Sequence, residues 1–344
     1  MTEISFKRNG SEIDTVIDKL IAMAGYTEYP ELVREMIVAA LKAGKERNDR
    51  AHMRLMNTTM KEMRFTGKIF GPYRNVRKVT VFGSARTQPD EPIYAMARQF
   101  GKRLAEEQYM VITGGGGGIM QAANEGAGPE NSFGVNILLP FEQKPNPVVA
   151  GNPRLITYKY FFNRKVAFLK EADAVALFPG GFGTLDEAME SLTLLQTGKH
   201  MPLPLVLVDE PEGTYWSRLL RFMREELLSE QYIDEGDFDL FECVNSVEDA
   251  VSRITNFYRR YHSLRYVNSR LVIRLLSEVP DPCIAELNER FSDIIVPNGR
   301  MYLSGPLPQE SDESEIADLP RLVVDFNLQD FGRLRNLIDE INKC

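Results

Sequence analysis

Residues 179–187, Pro-Gly-Gly-Phe-Gly-Thr-Leu-Asp-Glu, lie between an apolar run, Ala174-Val175-Ala176-Leu177-Phe178, and a stretch of helical periodicity over 184–196. A run that short and that apolar is a buried strand, so the unit reads strand, glycine turn, helix. Gly180, Gly181 and Gly183 let the backbone approach a ligand without side-chain obstruction, and the first amides of the helix carry partial positive charge. Such a turn suits a phosphate. Thr184 stands where a hydroxyl can cap the helix or bind a phosphate oxygen, and Glu187 adds a carboxylate that phosphate binding does not require.

Thr184-x-x-Glu187 also spells a capping box, in which both side chains only satisfy backbone donors. Taken alone, the pair favours that reading. A second glycine turn over 113–118 shifts the balance, because it too separates a short apolar strand, 109–112, from a helix beginning near Ile119. A small-residue turn, Gly83-Ser84-Ala85-Arg86, follows a strand over 78–82. In an open parallel sheet such turns gather at the carboxyl ends of the strands, where ligands bind.

The alternation continues. Strands near 110–112, 134–139, 155–158, 174–178 and 205–208 alternate with helices near 119–126, 161–171, 184–196 and 216–228, and a strand at 241–244 with a helix at 247–258 closes the series. This predicts an α/β fold, a doubly wound, Rossmann-like parallel sheet. Neither glycine turn spells Gly-x-Gly-x-x-Gly, since Ile119 and Asp186 take the third-glycine positions, and Gly198-Lys199 is followed by His200, which removes a P-loop. NAD, FAD and kinase-like readings fall. Ahead of this block, residues 11–64 have helical periodicity and Gly67 to Asn75 reads as a linker. Behind it, a strand, a helix over 283–291, strands around 301–303 and 322–326 and a helix over 331–341 form a small α+β module, with the acidic loop 309–315 expected to be exposed and mobile. The predicted organisation is a helical extension over 1–75, a central domain over 76–260 and the module over 261–344.

The nine-residue motif, with Asn163-Arg164-Lys165 on the preceding helix, Gly83-Ser84 after the first strand and the glycine run 114–118, resembles the LONELY GUY family, the cytokinin riboside 5′-monophosphate phosphoribohydrolases. The resemblance spans about 76–216, and the long flanks are more similar to the larger bacterial nucleotide 5′-monophosphate nucleosidases. It implies a hydrolase that cleaves the N-glycosidic bond of a nucleoside 5′-monophosphate, giving free base and ribose 5-phosphate. It also implies a homo-oligomer and neither a metal nor an organic cofactor. Glu187 and Arg164 become catalytic residues by this likeness. Gly180, Gly181, Gly183 and Thr184 become the grip on the 5′-phosphate, Gly115, Gly116 and Gly117 the opposite wall, and Gly83, Ser84 and Lys165 further substrate contacts.

The chemistry fits those residue types. Departure of the base builds positive charge on the ribose ring, and a carboxylate beside the sugar lowers that barrier. Arg164 offers a fixed fork of donors to the phosphate or the leaving base, whereas without the motif it reads as a solvated helix arginine. Proteins with this motif have been labelled lysine decarboxylases, a chemistry that needs a pyridoxal cofactor joined to a lysine. No lysine here stands in a context that singles it out. The stronger rival is a nucleotide-binding sensor of the same fold that hydrolyses nothing, and a pure binder has no need of Glu187 at the sugar.

A net charge of −8 argues against affinity for a nucleic-acid polymer. Between 42 and 78, however, eleven Lys or Arg face three acidic residues. Solvated faces or salt bridges to an acidic body are the preferred reading, ahead of a site for an anionic effector or a partner subunit. No apolar run is long enough to cross a bilayer and the first residues lack the apolar stretch of a secretory signal, so a cytoplasmic protein is expected. Cys243, Cys283 and Cys344 are far apart and read as reduced thiols, and His52, His200 and His262 are too scattered for a zinc site or a Ser-His-Asp triad.

Overall fold

The computed structural model describes residues 4–46, 48–140 and 144–344. The chain divides into two compact units, Met1–Phe65 and Thr66–Cys344.

The first unit contains α1 (Glu12–Met23), α2 (Pro30–Lys45) and most of α3 (Arg50–Phe70). A capping box of Ser11 and Asp14 starts α1, and Pro30 starts α2 where a missing amide costs nothing. Ile4, Ile17 and Val38 form a small core, and the buried Arg34 guanidinium donates to Asp14 and to the Phe6 carbonyl. The linker expected from Gly67 is helical instead: α3 runs to Phe70 and ends in the 3-10 turn Gly71–Tyr73. Tertiary contacts outweigh the roughly 1 kcal/mol that a helical glycine costs. Phe70 is buried and stacks on Phe133 with ring centroids 4.4 Å apart, and the Thr66 hydroxyl bonds that of Tyr158. Of the basic run, Arg74 pairs with Glu315 and Arg77 with Asp173, while Arg47 lies outside the described residues.

The second unit opens with β1 (Lys78–Phe82), α4 (Pro92–Glu106), β2 (Met110–Thr113), α5 (Ile119–Ala127), β3 (Ser132–Ile137) and β4 (Leu155–Tyr158). It continues through α6 (Phe161–Lys170), β5 (Ala174–Leu177), α7 (Phe182–Gln196), β6 (Leu205–Val208), α8 (Tyr215–Phe222), β7 (Glu242–Val244) and α9 (Val247–Phe257). A π-helical segment, Met223–Leu228, prolongs α8. The seven strands are all parallel, in the order β4-β3-β2-β1-β5-β6-β7. Helices cover both faces, which is why β1, β2, β3, β5 and β6 are buried throughout and why β5 and β6 read as continuous apolar runs. Strand order reverses between β1 and β5, so the turns after those two strands meet at the switch point of a Rossmann-like sheet.

Next come β8 (Tyr261–Val267), β9 (Arg270–Leu275), α10 (Asp281–Arg290), β10 (Met301–Ser304), β11 (Arg321–Val324) and α11 (Phe331–Lys343), which build a separate four-stranded antiparallel sheet, β10-β11-β9-β8. Three sequence expectations need correction here. Two strands, not one, precede α10; they form a hairpin turning at Asn268, whose φ is 54°. The acidic loop is not free: Glu310 is buried between Arg274 and Arg321, and Asp312 and Glu313 bind Arg265, because three strands of the sheet present arginines to it. Cys283 and Cys344 are not separate thiols but a disulfide, since both side chains pack on the core of this sheet with Cα atoms 6.3 Å apart. Among the described residues no helix is long and apolar enough to cross a membrane.

Candidate active site

The glycine turns are bonded to one another. Ser84 N donates to Pro179 O and Ile119 N donates to Ser84 O, each at 3.0 Å, so the turns after β1, β2 and β5 form one floor. Close approach demands glycine at two points. A Cβ on Gly180 would fall 2.2 Å from Thr184 Oγ1 and 2.9 Å from Ser84 N, and one on Gly118, already at φ +63°, would fall 2.2 Å from Ser84 O.

Helix α7 begins at Phe182 with Gly181 as its N-cap and no side-chain cap. The helix therefore starts two residues before Thr184, and the capping box that Thr184 and Glu187 could spell is not made. Thr184 becomes the third helical residue and Glu187 the sixth. Both are buried, and both line a cavity of about 810 Å³ above the glycine floor. Gly83, Ser84 and Arg86 line it from the first turn, Gly114 and Met120 from the second, residues 180–185 from the motif, and Phe161, Arg164 and Phe168 from α6. Asn136, Leu139 and Tyr215 complete the wall.

The Glu187 carboxylate lies 4.0 Å from Arg164 Nη2 and 3.5 Å from Lys165 Nζ. Burial pushes its pKa up to about 7, against the pull of Lys165 and Arg164 and with Glu190 and Asp186 adding to the rise. Burial also pulls Arg164 below its ordinary value, opposed by Glu187 and Asp186. The Arg164 guanidinium sits over the Phe161 ring at 4.8 Å and the Phe168 ring at 5.4 Å, with its buried Nε unpartnered among the described residues. Lys165 does not line the cavity. It reaches Asp186 and Glu190, each at 2.8 Å, and these bonds outweigh burial to raise its pKa. A lysine held charged in this way is unsuited to the Schiff base of a pyridoxal enzyme. Among the described residues no three His, Cys, Asp or Glu gather as metal donors.

The structure thus brings Gly83, Ser84, Arg164, Gly180, Gly181, Gly183, Thr184 and Glu187 around one cavity and leaves Gly115, Gly116 and Gly117 outside its lining. Asn146 covers that stretch: its amide donates to Gly115 O at 2.8 Å and its Nδ2 to Gly116 O at 3.0 Å. Gly114 takes their place at the wall.

The family model described as "possible lysine decarboxylase" matches residues 117–254. A probable cytokinin riboside 5′-monophosphate phosphoribohydrolase of Oryza sativa subsp. japonica is 28% identical over 52% of this chain and 77% of its own. The Arabidopsis thaliana cytokinin riboside 5′-monophosphate phosphoribohydrolase is 29% identical over 46% and 70%. The pyrimidine/purine nucleotide 5′-monophosphate nucleosidase of Escherichia coli (strain K12) is 28% identical over 45% of this chain but only 38% of its own length. Over the matched residues the chain is similar to the LONELY GUY family of phosphoribohydrolases and to the bacterial nucleosidase alike.

The family model leaves α1 to α3 and the antiparallel sheet outside the matched residues. Sequence reasoning also missed Asn136, Phe161 and Tyr215 of the cavity wall. They come from three separate elements and carry no local motif; only the strand order, which puts those elements beside the switch point, reveals them.

Proposed function

We propose that the protein hydrolyses the C1′–N bond of a nucleoside 5′-monophosphate, AMP-like or a cytokinin riboside monophosphate, through the domain over 76–260. One observation carries this reading: a buried carboxylate, Glu187, lines the same cavity as a glycine turn at a helix N-terminus. The turn is suited to the phosphate, and nothing in phosphate binding calls for the acid.

With the 5′-phosphate against residues 180–184, the ribose lies toward Glu187. The C1′–N bond breaks with its electron pair leaving on the base, and the ionised carboxylate stabilises the cationic sugar. Water then adds at C1′ and gives up a proton, for which a carboxylate of pKa about 7 is a suitable acceptor near neutral pH. Arg164, oriented by the two phenylalanine rings, offers donors to the phosphate or the departing base. The proton passes on to the nitrogen that kept the electron pair, which restores the carboxylate and gives free base and ribose 5-phosphate.

Incubation with AMP, GMP, CMP, UMP and isopentenyl-adenosine monophosphate, followed by chromatography, tests this. Base and ribose 5-phosphate are expected from at least one monophosphate, with little from the matching nucleoside. Binding of every monophosphate with cleavage of none would establish the sensor instead. The same reading makes the protein a cytoplasmic homo-oligomer, which light scattering on the purified protein checks for its assembly.

A further inference from the structure

The phosphate turn is braced from the neighbouring strand's loop. Tyr215 opens α8, and its amide donates to Asp209 Oδ2 at 3.0 Å; Asp209, just past β6, is buried and also takes the Glu210 amide at 2.9 Å. Gly213 leaves space for that carboxylate, since a Cβ there would fall 2.1 Å from Asp209 Oδ1. With its backbone fixed in this way, Tyr215 reaches across to the motif and donates its hydroxyl to Gly180 O at 2.7 Å.

That bond has a direction. Gly180 C=O and Gly181 N–H belong to one planar trans peptide, so the two groups point opposite ways. Holding the oxygen on Tyr215 turns the Gly181 amide the other way, and among the described residues no acceptor in the fold takes it. A peptide between two glycines has little steric reason to keep one orientation, and a Cβ at Gly181 would meet nothing within 4 Å. Both glycines line the cavity.

Resting on the nucleotide reading above, we propose that Tyr215 is a positioning residue whose hydroxyl locks the 180–181 peptide with its amide aimed at the 5′-phosphate. A phosphate contact is made equally in the bound substrate and the transition state, so it acts on KM and leaves kcat alone.

The experiment compares the full chain with Tyr215→Phe, which removes the hydroxyl and keeps the ring. It measures kcat and KM for AMP, Kd for AMP and for inorganic phosphate by calorimetry, and the melting temperature. KM and both Kd values rise roughly 3- to 10-fold, the effect of one lost hydrogen bond, while kcat stays within about twofold and melting shifts by only a few degrees. Unchanged KM and Kd overturn the proposal. A fall in kcat together with a collapse in melting temperature overturns it too, since the role would then be structural. Because the phosphate and AMP titrations need no turnover, a wild type that binds AMP without cleaving it sinks the hydrolase reading, and the clamp is then decided by the Kd ratio alone.

Discussion

Glu187 sits where the fold works against its charge. Its pKa is about 7 in the folded protein against an ordinary carboxyl value of 4.5, so the fold prefers the protonated form. Stability from that preference is fully present below about 4.5 and lost as pH rises to about 7. Catalysis, by contrast, needs the ionised form. Three outcomes follow from the one residue. In wild type, kcat/KM falls on the acid side with a midpoint near 7, read from a pH–rate profile on the best monophosphate. In Glu187→Gln, turnover drops by on the order of 10²- to 10⁴-fold while nucleotide binding survives. The same variant melts higher than wild type at pH 8, by a gain on the order of 1–3 kcal/mol that shrinks toward pH 4.5. Equal melting at pH 8 would mean that Lys165 and Arg164 compensate the buried charge in full.

At the level of elements, β5 and β6 were legible because burial on both faces leaves them continuously apolar, and β1 and β4 fall where their mixed runs, rich in Val, Ile, Phe and Leu, place them. Glu187 and Arg164 were legible as a motif but not as a geometry. Whether Thr184 and Glu187 cap the helix or face a ligand depends on where α7 begins, and Gly181 moves that start outside the pair. Gly115 to Gly117 lie outside the cavity lining, and for the first two the reason is non-local: Asn146, some thirty residues on, folds back over Gly115 and Gly116. The β8–β9 hairpin was hidden because His262, Ser263 and Arg265 interrupt the apolar signal and its turn, Asn268-Ser269, lacks the glycine that marks most tight hairpins. The turn itself yields a prediction. Gly180→Ala puts a methyl against Thr184 Oγ1 and Ser84 N at once, and the second is backbone that cannot swing away. Phosphate and AMP binding by calorimetry should weaken at least 10-fold, whereas Gly183→Ala, where a Cβ meets nothing within 4 Å, should lose far less.

Across the second unit as a whole, the antiparallel sheet is fastened to the parallel one. Arg335 of α11 bonds Glu242 of β7, Asn336 bonds Asp239, and a Cβ on Gly332 would fall 2.0 Å from Gly236 O, so the helix lies directly on backbone beside the parallel sheet. Beyond it, Glu310 is shared between Arg274 and Arg321, with all three side chains almost fully buried. Ionised and paired, Glu310 titrates below its ordinary value: burial opposes its charge, but the Leu307 amide and the two arginines outweigh burial. Neutralising it leaves the Arg321 guanidinium buried without a counter-ion and Arg274 with Glu313 alone, a change that costs about 3–5 kcal/mol. Glu310→Gln should therefore lower the denaturation midpoint at pH 7, and the gap to wild type should close as acid protonates Glu310 in the latter. Because the two sheets share α11, the loss should appear as an earlier transition of the whole unit. Far-ultraviolet dichroism and the fluorescence of Trp216, which is buried beside the parallel sheet, should move together in a denaturant titration. Separation of the two signals, with Trp216 unfolding at its wild-type midpoint, would mean that the antiparallel sheet is an appendage whose state the catalytic cavity does not sense.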